Sequence, residues 1–108
     1  MGFEDNYHFI PKKIYLLRFL ENFVLTGGNI RVIPKSISKL KILKLLNLGF
    51  NNIEDIPKTL YLPENLEKLE LWSNRLKTIP ESILNLRNLK FLDLSTNQIE
   101  ILPNSFNG

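Results

Sequence analysis

The side chains that could carry out catalysis are few in this chain and are spread along it. The sequence contains one histidine, His8, and no cysteine, so it has no thiol nucleophile and a poor set of zinc ligands. Glu67, Glu70 and Asp93 could serve as an acid and a base only if their surroundings moved their pKa values apart. A shallow solvated surface does not do this, and we therefore expect no enzymatic activity, no metal ion and no cofactor.

Length and composition indicate one ordinary soluble domain. The chain has 108 residues, of which 44% are hydrophobic and 23% are charged, with a formal net charge of +3. No apolar run approaches the roughly 20 residues of a membrane-spanning helix, and so small a charge does not predict nucleic-acid binding. The absence of cysteine and of a recognisable signal peptide leads us to expect a cytoplasmic protein, although an exported effector would look the same.

A repeat of 23 residues organises the sequence. Five of the six prolines follow an aliphatic residue at this spacing, namely Pro11, Pro34, Pro57, Pro80 and Pro103. The pattern L-x-x-L-x-L-x-x-N-x-L-x-x-L-P-x-x-I-x-x-L recurs around them without a slip. We divide the single domain, residues 1–108, into a partial first turn, 1–19, and repeats 20–42, 43–65, 66–88 and 89–108. No single turn can bury its own apolar side, so the turns must stack on a shared core.

The segments LKLLNLGFNNIEDIP, LEKLELWSNRLKTIP and LKFLDLSTNQIEILP resemble leucine-rich repeats of the 23-residue LPxxI type. Such repeats occur in intracellular Ras-pathway and cell-polarity scaffolds and in short bacterial leucine-rich-repeat proteins, and the resemblance covers residues 7–108. It implies an α/β fold: a leucine-rich repeat solenoid that forms a short right-handed horseshoe arc with a parallel β-sheet on its concave face. It also implies a non-enzymatic module that binds another protein on that face.

The two halves of each repeat predict different elements. The L-x-L half has period two and predicts short parallel strands with their leucines in the core, near residues 23–25, 46–48, 69–71 and 92–94. The P-x-x-I-x-x-L half suits a short helix or 3₁₀ turn on the convex side, for which residues 12–21 are the best helix candidate. Pro63 stands where other repeats have leucine and predicts an irregular convex segment. The partial first turn continues the apolar positions of the core with Tyr7, Ile10, Ile14 and Leu17.

The position at which each strand bends toward the core holds an asparagine in three repeats: Asn51, Asn74 and Asn97. A side-chain amide can both donate to and accept from backbone groups that such a bend leaves unpaired. The family resemblance identifies these residues as an asparagine ladder. Gly28 occupies the equivalent position of the first repeat, so we expect the ladder to begin one turn later.

The residues between the leucines form columns on the concave face, because neighbouring strands are about 4.8 Å apart. The candidate partner-binding residues on this face are Leu45, Asn47, Lys68, Glu70, Trp72, Phe91 and Asp93. Trp72 is the first choice, since its small column neighbours Gly49 and Ser95 should leave the indole standing above the sheet and tryptophan is a preferred interface anchor. The alternative is that the ring folds flat over Gly49 and Phe50 and merely covers the sheet.

Charged columns leave a second function open. Two of them alternate in sign, Glu21, Lys44, Glu67 and Lys90 in one and Arg31, Glu54, Lys77 and Glu100 in the other. These charges either help to specify the strand register or are plain surface pairs. Because the two ends of each column are complementary and the last strand has an open edge, the alternative function is end-on self-association into a homo-oligomer.

Lysines on the convex side suggest a third, weaker reading. Lys12, Lys35 and Lys58 follow successive prolines, and Lys39, Lys41 and Lys44 are nearby in the sequence. Such a stripe could contact acidic lipid or RNA. No aromatic residues interleave with it, so we interpret it as a solvated face and expect neither a nucleic acid nor a membrane as partner.

Overall fold

A computed structural model describes residues 9–100 and has one parallel sheet. Its strands follow one another in sequence order and contain three residues each: β1 (Asn22–Val24), β2 (Leu45–Asn47), β3 (Lys68–Glu70) and β4 (Phe91–Asp93). Each strand pairs with the next at a spacing of 23 residues, so that Phe23, Leu46, Leu69 and Leu92 are in register. The predicted α/β solenoid is therefore confirmed.

The strands begin one residue earlier than the sequence pattern predicted. The hydrogen bonding nevertheless continues to the second leucine of the first three L-x-L segments. Leu48 N–H donates to the carbonyl of Glu70 over 2.9 Å, and Leu71 N–H donates to that of Asp93 over 2.8 Å. In the second repeat, for example, the predicted strand has Asn47 at its centre, whereas the observed strand β2 has Leu46 at its centre.

The leucines and isoleucines of the repeat form one continuous core between the sheet and the convex segments. The central residues of β2 and β3, Leu46 and Leu69, are completely buried. Their counterparts Phe23 and Leu92 in β1 and β4 are half-buried, because among the described residues these strands have a sheet neighbour on one side only. The core is thus densest in the middle two repeats, as expected for stacked turns.

The convex segments are short and begin directly after the repeat prolines. Two are 3₁₀ helices, Lys12–Leu17 and Lys35–Lys39, and one is an α-helix, α1 (Glu81–Leu84). The carbonyl of the preceding proline accepts the first hydrogen bond of each, as in Ile83 N–H to Pro80 over 3.2 Å. Proline itself needs no partner at this position because it has no N–H. The segment around Pro63 contains turns and no helix, as predicted.

The helix candidate at residues 12–21 was partly wrong. The helix there is of the 3₁₀ type and ends at Leu17. Ile14 enters the core, but Leu17 is 52% exposed because no described turn precedes it and could cover it. Tyr7, assigned to the same partial turn, lies outside the described residues. Within the range 9–100, no helix is long and apolar enough to cross a membrane.

The predicted asparagine ladder is present and begins at Asn51. The Asn74 side-chain oxygen accepts from the N–H of Ile53 over 3.0 Å, and its amide nitrogen donates to Leu48 and Leu71 at 3.0 and 3.1 Å. The side chains of Asn51 and Asn97 make the equivalent bonds to the backbone of the turn that precedes each of them. In the first turn Gly28 N–H instead donates to the Asn51 side chain over 2.9 Å. Each asparagine therefore joins its own turn to the preceding one.

Candidate functional site

The first and last residues of each strand lie opposite the core and form what we call the open face of the sheet. The strand pairing aligns Leu45, Lys68 and Phe91 in one column, and it aligns Asn47, Glu70 and Asp93 in a second. Alternation along a strand places the two columns on the same side. The structure thus brings together six of the seven candidate residues, and Trp72 lies just beyond the end of β3.

The first column contains a contact between a cation and an aromatic ring. The Lys68 ammonium lies 4.8 Å from the centre of the Phe91 ring, within the range in which the ring quadrupole attracts a cation. Phe91 is still 46% exposed, and Leu45 at the other end of the column is half-buried. The column therefore offers an apolar surface with one positive charge held beside it.

Two of the three residues in the second column, Asn47 and Asp93, form hydrogen bonds with nearby backbone. The Asn47 side-chain oxygen accepts from Gly49 N–H over 2.9 Å, and the equivalent Asp93 oxygen accepts from Ser95 N–H over 3.0 Å. The Ser95 hydroxyl also donates to Asp93, over 2.7 Å. Asparagine and aspartate commonly fix turns in this way. These two candidate residues shape the bend after their strands, which limits what they can offer to a partner.

The Ser95 hydroxyl, followed by the Ser95 backbone N–H, lowers the pKa of Asp93 from its ordinary value of 3.8. We expect Ser95→Ala to raise this pKa, as measured by an NMR titration of the side-chain carboxyl. A lowered folded-state pKa adds stability above the unfolded-state pKa, and this stability is lost as the pH falls through the folded-state value. The stability difference between wild type and Ser95→Ala should therefore shrink on acidification.

The matched control for this titration is Thr26→Ala. Thr26 is the counterpart of Ser95 in the first turn, where Val24 replaces the aspartate. Its substitution should give a stability difference that does not change over the same acidic range. An Asp93 pKa that is equal in wild type and Ser95→Ala would contradict the assignment of the hydroxyl as the main cause.

Trp72 lies against the backbone of the preceding turn. A Cβ atom added to Gly49 would fall 2.5 Å from the Trp72 Cζ2 atom and closer still to two other atoms of the indole. Gly49 is buried and Trp72 is half-buried. The expectation that the indole stands above the sheet was therefore wrong, and the ring instead adopts the flat alternative over Gly49. The glycine provides the space that this ring needs.

Phe50 is an exposed aromatic residue that the sequence analysis did not include among the binding residues. It is 64% exposed, and its ring lies 3.5 Å from the position that a Cβ atom of Gly27 would take. Phe50 therefore covers a glycine of the preceding turn, as Trp72 covers Gly49. The signal was available in the sequence, because Phe50 is the one aromatic residue among the four that stand immediately before the ladder position.

The backbone at Phe50 has an unfavourable conformation for its residue type. The four equivalent residues, Gly27, Phe50, Ser73 and Thr96, all have positive φ angles, and that of Phe50 is 55°. Glycine adopts this region freely, whereas a bulky residue is rarely found there. The hydrogen bond from Phe50 N–H to the Trp72 carbonyl, 2.8 Å long, helps to hold it. The repeat geometry thus imposes the conformation, and the aromatic side chain contributes little to the core.

The charged column beside the open face contains one close contact of opposite charges, with Lys90 Nζ 4.0 Å from Glu67 Oε1. Both side chains are well exposed, and pairs of this kind contribute little to stability. The predicted role of the charged columns in strand register and end-on association stays a prediction, and residues 101–108 lie outside the described range.

Residues 9–100 contain no cluster of three or more histidine, cysteine, aspartate or glutamate side chains that could hold a metal ion. His8 falls outside that range.

Comparisons with known proteins agree with this architecture. The family model described as "Leucine rich repeat" matches residues 64–108. A leucine-rich-repeat protein of Leptospira interrogans has 36% sequence identity, covers 84% of this chain and superposes with a TM-score of 0.78. This chain spans 23% of the length of that protein. Comparison with curated protein sequences gave no match.

Plant receptors provide two further structural comparisons. The leucine-rich-repeat ectodomain of the receptor kinase SOBIR1 from Arabidopsis thaliana is 26% identical over 88% of this chain and 66% of its own, with a TM-score of 0.56. The plant peptide hormone receptor RGFR1, solved in complex with RGF2, is 22% identical over 88% of this chain and 23% of its own, with a TM-score of 0.55, and shows the fold alone. The 23-residue register, the asparagine ladder and these matches together show that the chain has a leucine-rich-repeat fold.

Proposed function

We propose that this chain is a non-enzymatic recognition module that binds a partner protein on the open face of its sheet, which corresponds to the concave face of the solenoid. Leucine-rich-repeat folds generally mediate protein–protein interaction. The observation that carries the proposal is the set of aromatic side chains on and beside this face, Phe50, Trp72 and Phe91. Aromatic residues are enriched among interface hot spots.

The arrangement of these residues supports a binding role. Trp72 packs closely on Gly49 of the preceding turn, so its ring has a fixed place before a partner arrives, and the more exposed Phe50 lies beside Gly27. A pre-positioned ring loses little conformational entropy on binding. Lys68 beside Phe91 adds a charge at the edge of the apolar surface, which favours a partner with a carboxylate at that point. Asn47 and Asp93 contribute less, because they bind their own backbone.

We expect Trp72→Ala to weaken partner binding by about 2 kcal/mol or more. The reason is that the indole is the largest aromatic surface on this face and is already fixed in position. Affinity capture with wild-type and Trp72→Ala bait would identify the partner by mass spectrometry. Isothermal titration with the purified partner would then give the change in affinity.

Two further variants distinguish lost contact from lost structure. Tyr61→Ala removes an exposed aromatic ring from the convex segment and should leave the affinity unchanged. Phe50→Gly gives position 50 the residue found at the equivalent Gly27, so it should keep the fold and still weaken binding. An affinity equal to that of wild type in both Trp72→Ala and Phe50→Gly would reject the proposed surface.

End-on self-association is the second candidate function, and the exposed apolar residues of the first turn favour it. Leu17 and Phe19 are exposed, and the outer edge of β1 has no strand partner among residues 9–100. Unpaired strand edges invite pairing with another chain. Light scattering over rising protein concentration tests this candidate, since a mass that stays monomeric at high concentration would reject it.

A further inference from the structure

An apolar groove of about 770 Å³ lies between the convex segments of the first two described turns. The 3₁₀ helices Lys12–Leu17 and Lys35–Lys39 contribute to its two sides. This groove lies on the opposite side of the core from the open face of the sheet. It is therefore separate from the surface proposed above for the partner protein.

Aromatic and aliphatic side chains line the groove, and we call them its apolar floor. Phe9 and Val32 are 67% and 65% exposed, and Tyr15 is also exposed. Ile10, Pro11 and Pro34 are the other apolar residues of this lining. A contiguous apolar surface of this kind usually marks a binding site, because a folded chain normally covers such residues.

Lysines surround this floor. Four of them line the groove, Lys12, Lys13, Lys35 and Lys39, and no aspartate or glutamate does. The Lys39 ammonium lies 5.6 Å from the centre of the Tyr15 ring. The expectation that no aromatic residue interleaves with the convex lysines was therefore wrong, because the fold brings Phe9 and Tyr15 between lysines of two different turns.

We propose that this groove binds an acidic peptide segment in which carboxylates alternate with apolar side chains. The apolar side chains would enter the groove and cover Phe9, Tyr15 and Val32. The carboxylates would lie beside the lysines and relieve the repulsion of four like charges. The volume is within the range of about 300 to 1,000 Å³ that is typical of ligand sites.

The shape of the site favours a peptide over a lipid bilayer. An extended peptide can enter a groove that has a helical segment on either side. A membrane surface instead requires apolar side chains that project beyond the charged ones, as on an amphipathic helix lying in the interface. In this groove the apolar floor and the lysines belong to the same depression.

Fluorescence anisotropy with a labelled synthetic peptide that alternates glutamate with leucine and phenylalanine tests the proposal. We expect saturable binding that weakens as salt is added, and no binding of the same peptide with lysine in place of glutamate. The double variant Lys12→Glu/Lys35→Glu should weaken binding at least about tenfold, because two attractive charges become repulsive. Val32→Asp should also weaken peptide binding, because it places a negative charge on the apolar surface of the groove.

Lys58→Glu is the matched control. Lys58 follows the next repeat proline, 23 residues after Lys35, but does not line the groove. The Lys58→Glu variant should retain the wild-type affinity for the peptide. Equal losses in Lys58→Glu and in the double variant would overturn the proposal, since binding would then depend on overall charge. Sedimentation of the chain with phosphatidylserine vesicles, combined with no binding of the acidic peptide, would also overturn it.

Discussion

Asn74→Ala should lower the free energy of unfolding by about 2 to 3 kcal/mol, because it leaves the buried N–H of Ile53 without a partner and removes the Asn74 hydrogen bonds to two carbonyls. The Asn74 side-chain oxygen accepts a hydrogen bond from the N–H of Ile53, and the amide nitrogen donates to the carbonyls of Leu48 and Leu71. Alanine leaves the N–H of Ile53 unpaired inside the solenoid, whereas the two carbonyls each keep one hydrogen bond, from Asn51 to Leu48 and from Asn97 to Leu71. Denaturant unfolding followed by circular dichroism gives the change in free energy.

Asn88→Ala is the control for the ladder variant. The Asn88 side chain is exposed and makes a single long hydrogen bond of 3.4 Å to Asn65, also between equivalent positions of neighbouring turns. Its loss should change the unfolding free energy by less than about 0.5 kcal/mol. If the two substitutions were equally costly, the ladder would not hold the turns together as the structure indicates.

The sequence alone determined the stacking of the turns with great accuracy. Leu46 and Leu69 are fully buried and are paired at 23 residues, as the spacing predicted. A shift of one residue would move every leucine of a strand to the solvent side, so the apolar pattern admits only one register. The asparagine ladder was equally predictable, because its residue type fits the hydrogen-bonding need of the bend.

The convex segments were less predictable. Residues 35–39 and 81–84 follow the same pattern, P-x-x-I-x-x-L, yet one forms a 3₁₀ helix and the other an α-helix. Segments this short gain little from their own hydrogen bonds, so the packing of neighbouring turns decides between the two types. The same applies to Leu17, whose exposure depends on whether another turn covers it.

The candidate site was predictable as a set of positions and not as a set of side-chain conformations. Alternation along the strands correctly placed Lys68 and Phe91 on one face. It could not show that Asn47 and Asp93 bind their own backbone, because either side chain could equally have faced a partner. Phe50 was missed because its position, immediately before the ladder residue, was not among the columns considered on the concave face.

Gly49→Ala should lower the free energy of unfolding by about 2 to 3 kcal/mol, through its effect on Trp72. The backbone of Gly49 is not in the left-handed region, so alanine is compatible with its conformation. The added methyl group would instead overlap the indole of Trp72. Overpacking of this kind typically costs about 1 to 3 kcal/mol. The ring must leave its place on the sheet, and denaturant unfolding together with tryptophan fluorescence would report both effects.

A double-mutant cycle shows whether the indole is the cause. In the Trp72→Ala background the space above Gly49 is open, so Gly49→Ala should then change the unfolding free energy by less than about 0.5 kcal/mol. Two residues in direct contact should give a coupling energy of about 2 kcal/mol. An equal cost of Gly49→Ala in both backgrounds would mean that the ring does not rest on the glycine. It would also remove the physical basis for treating Trp72 as an anchor that is fixed before binding.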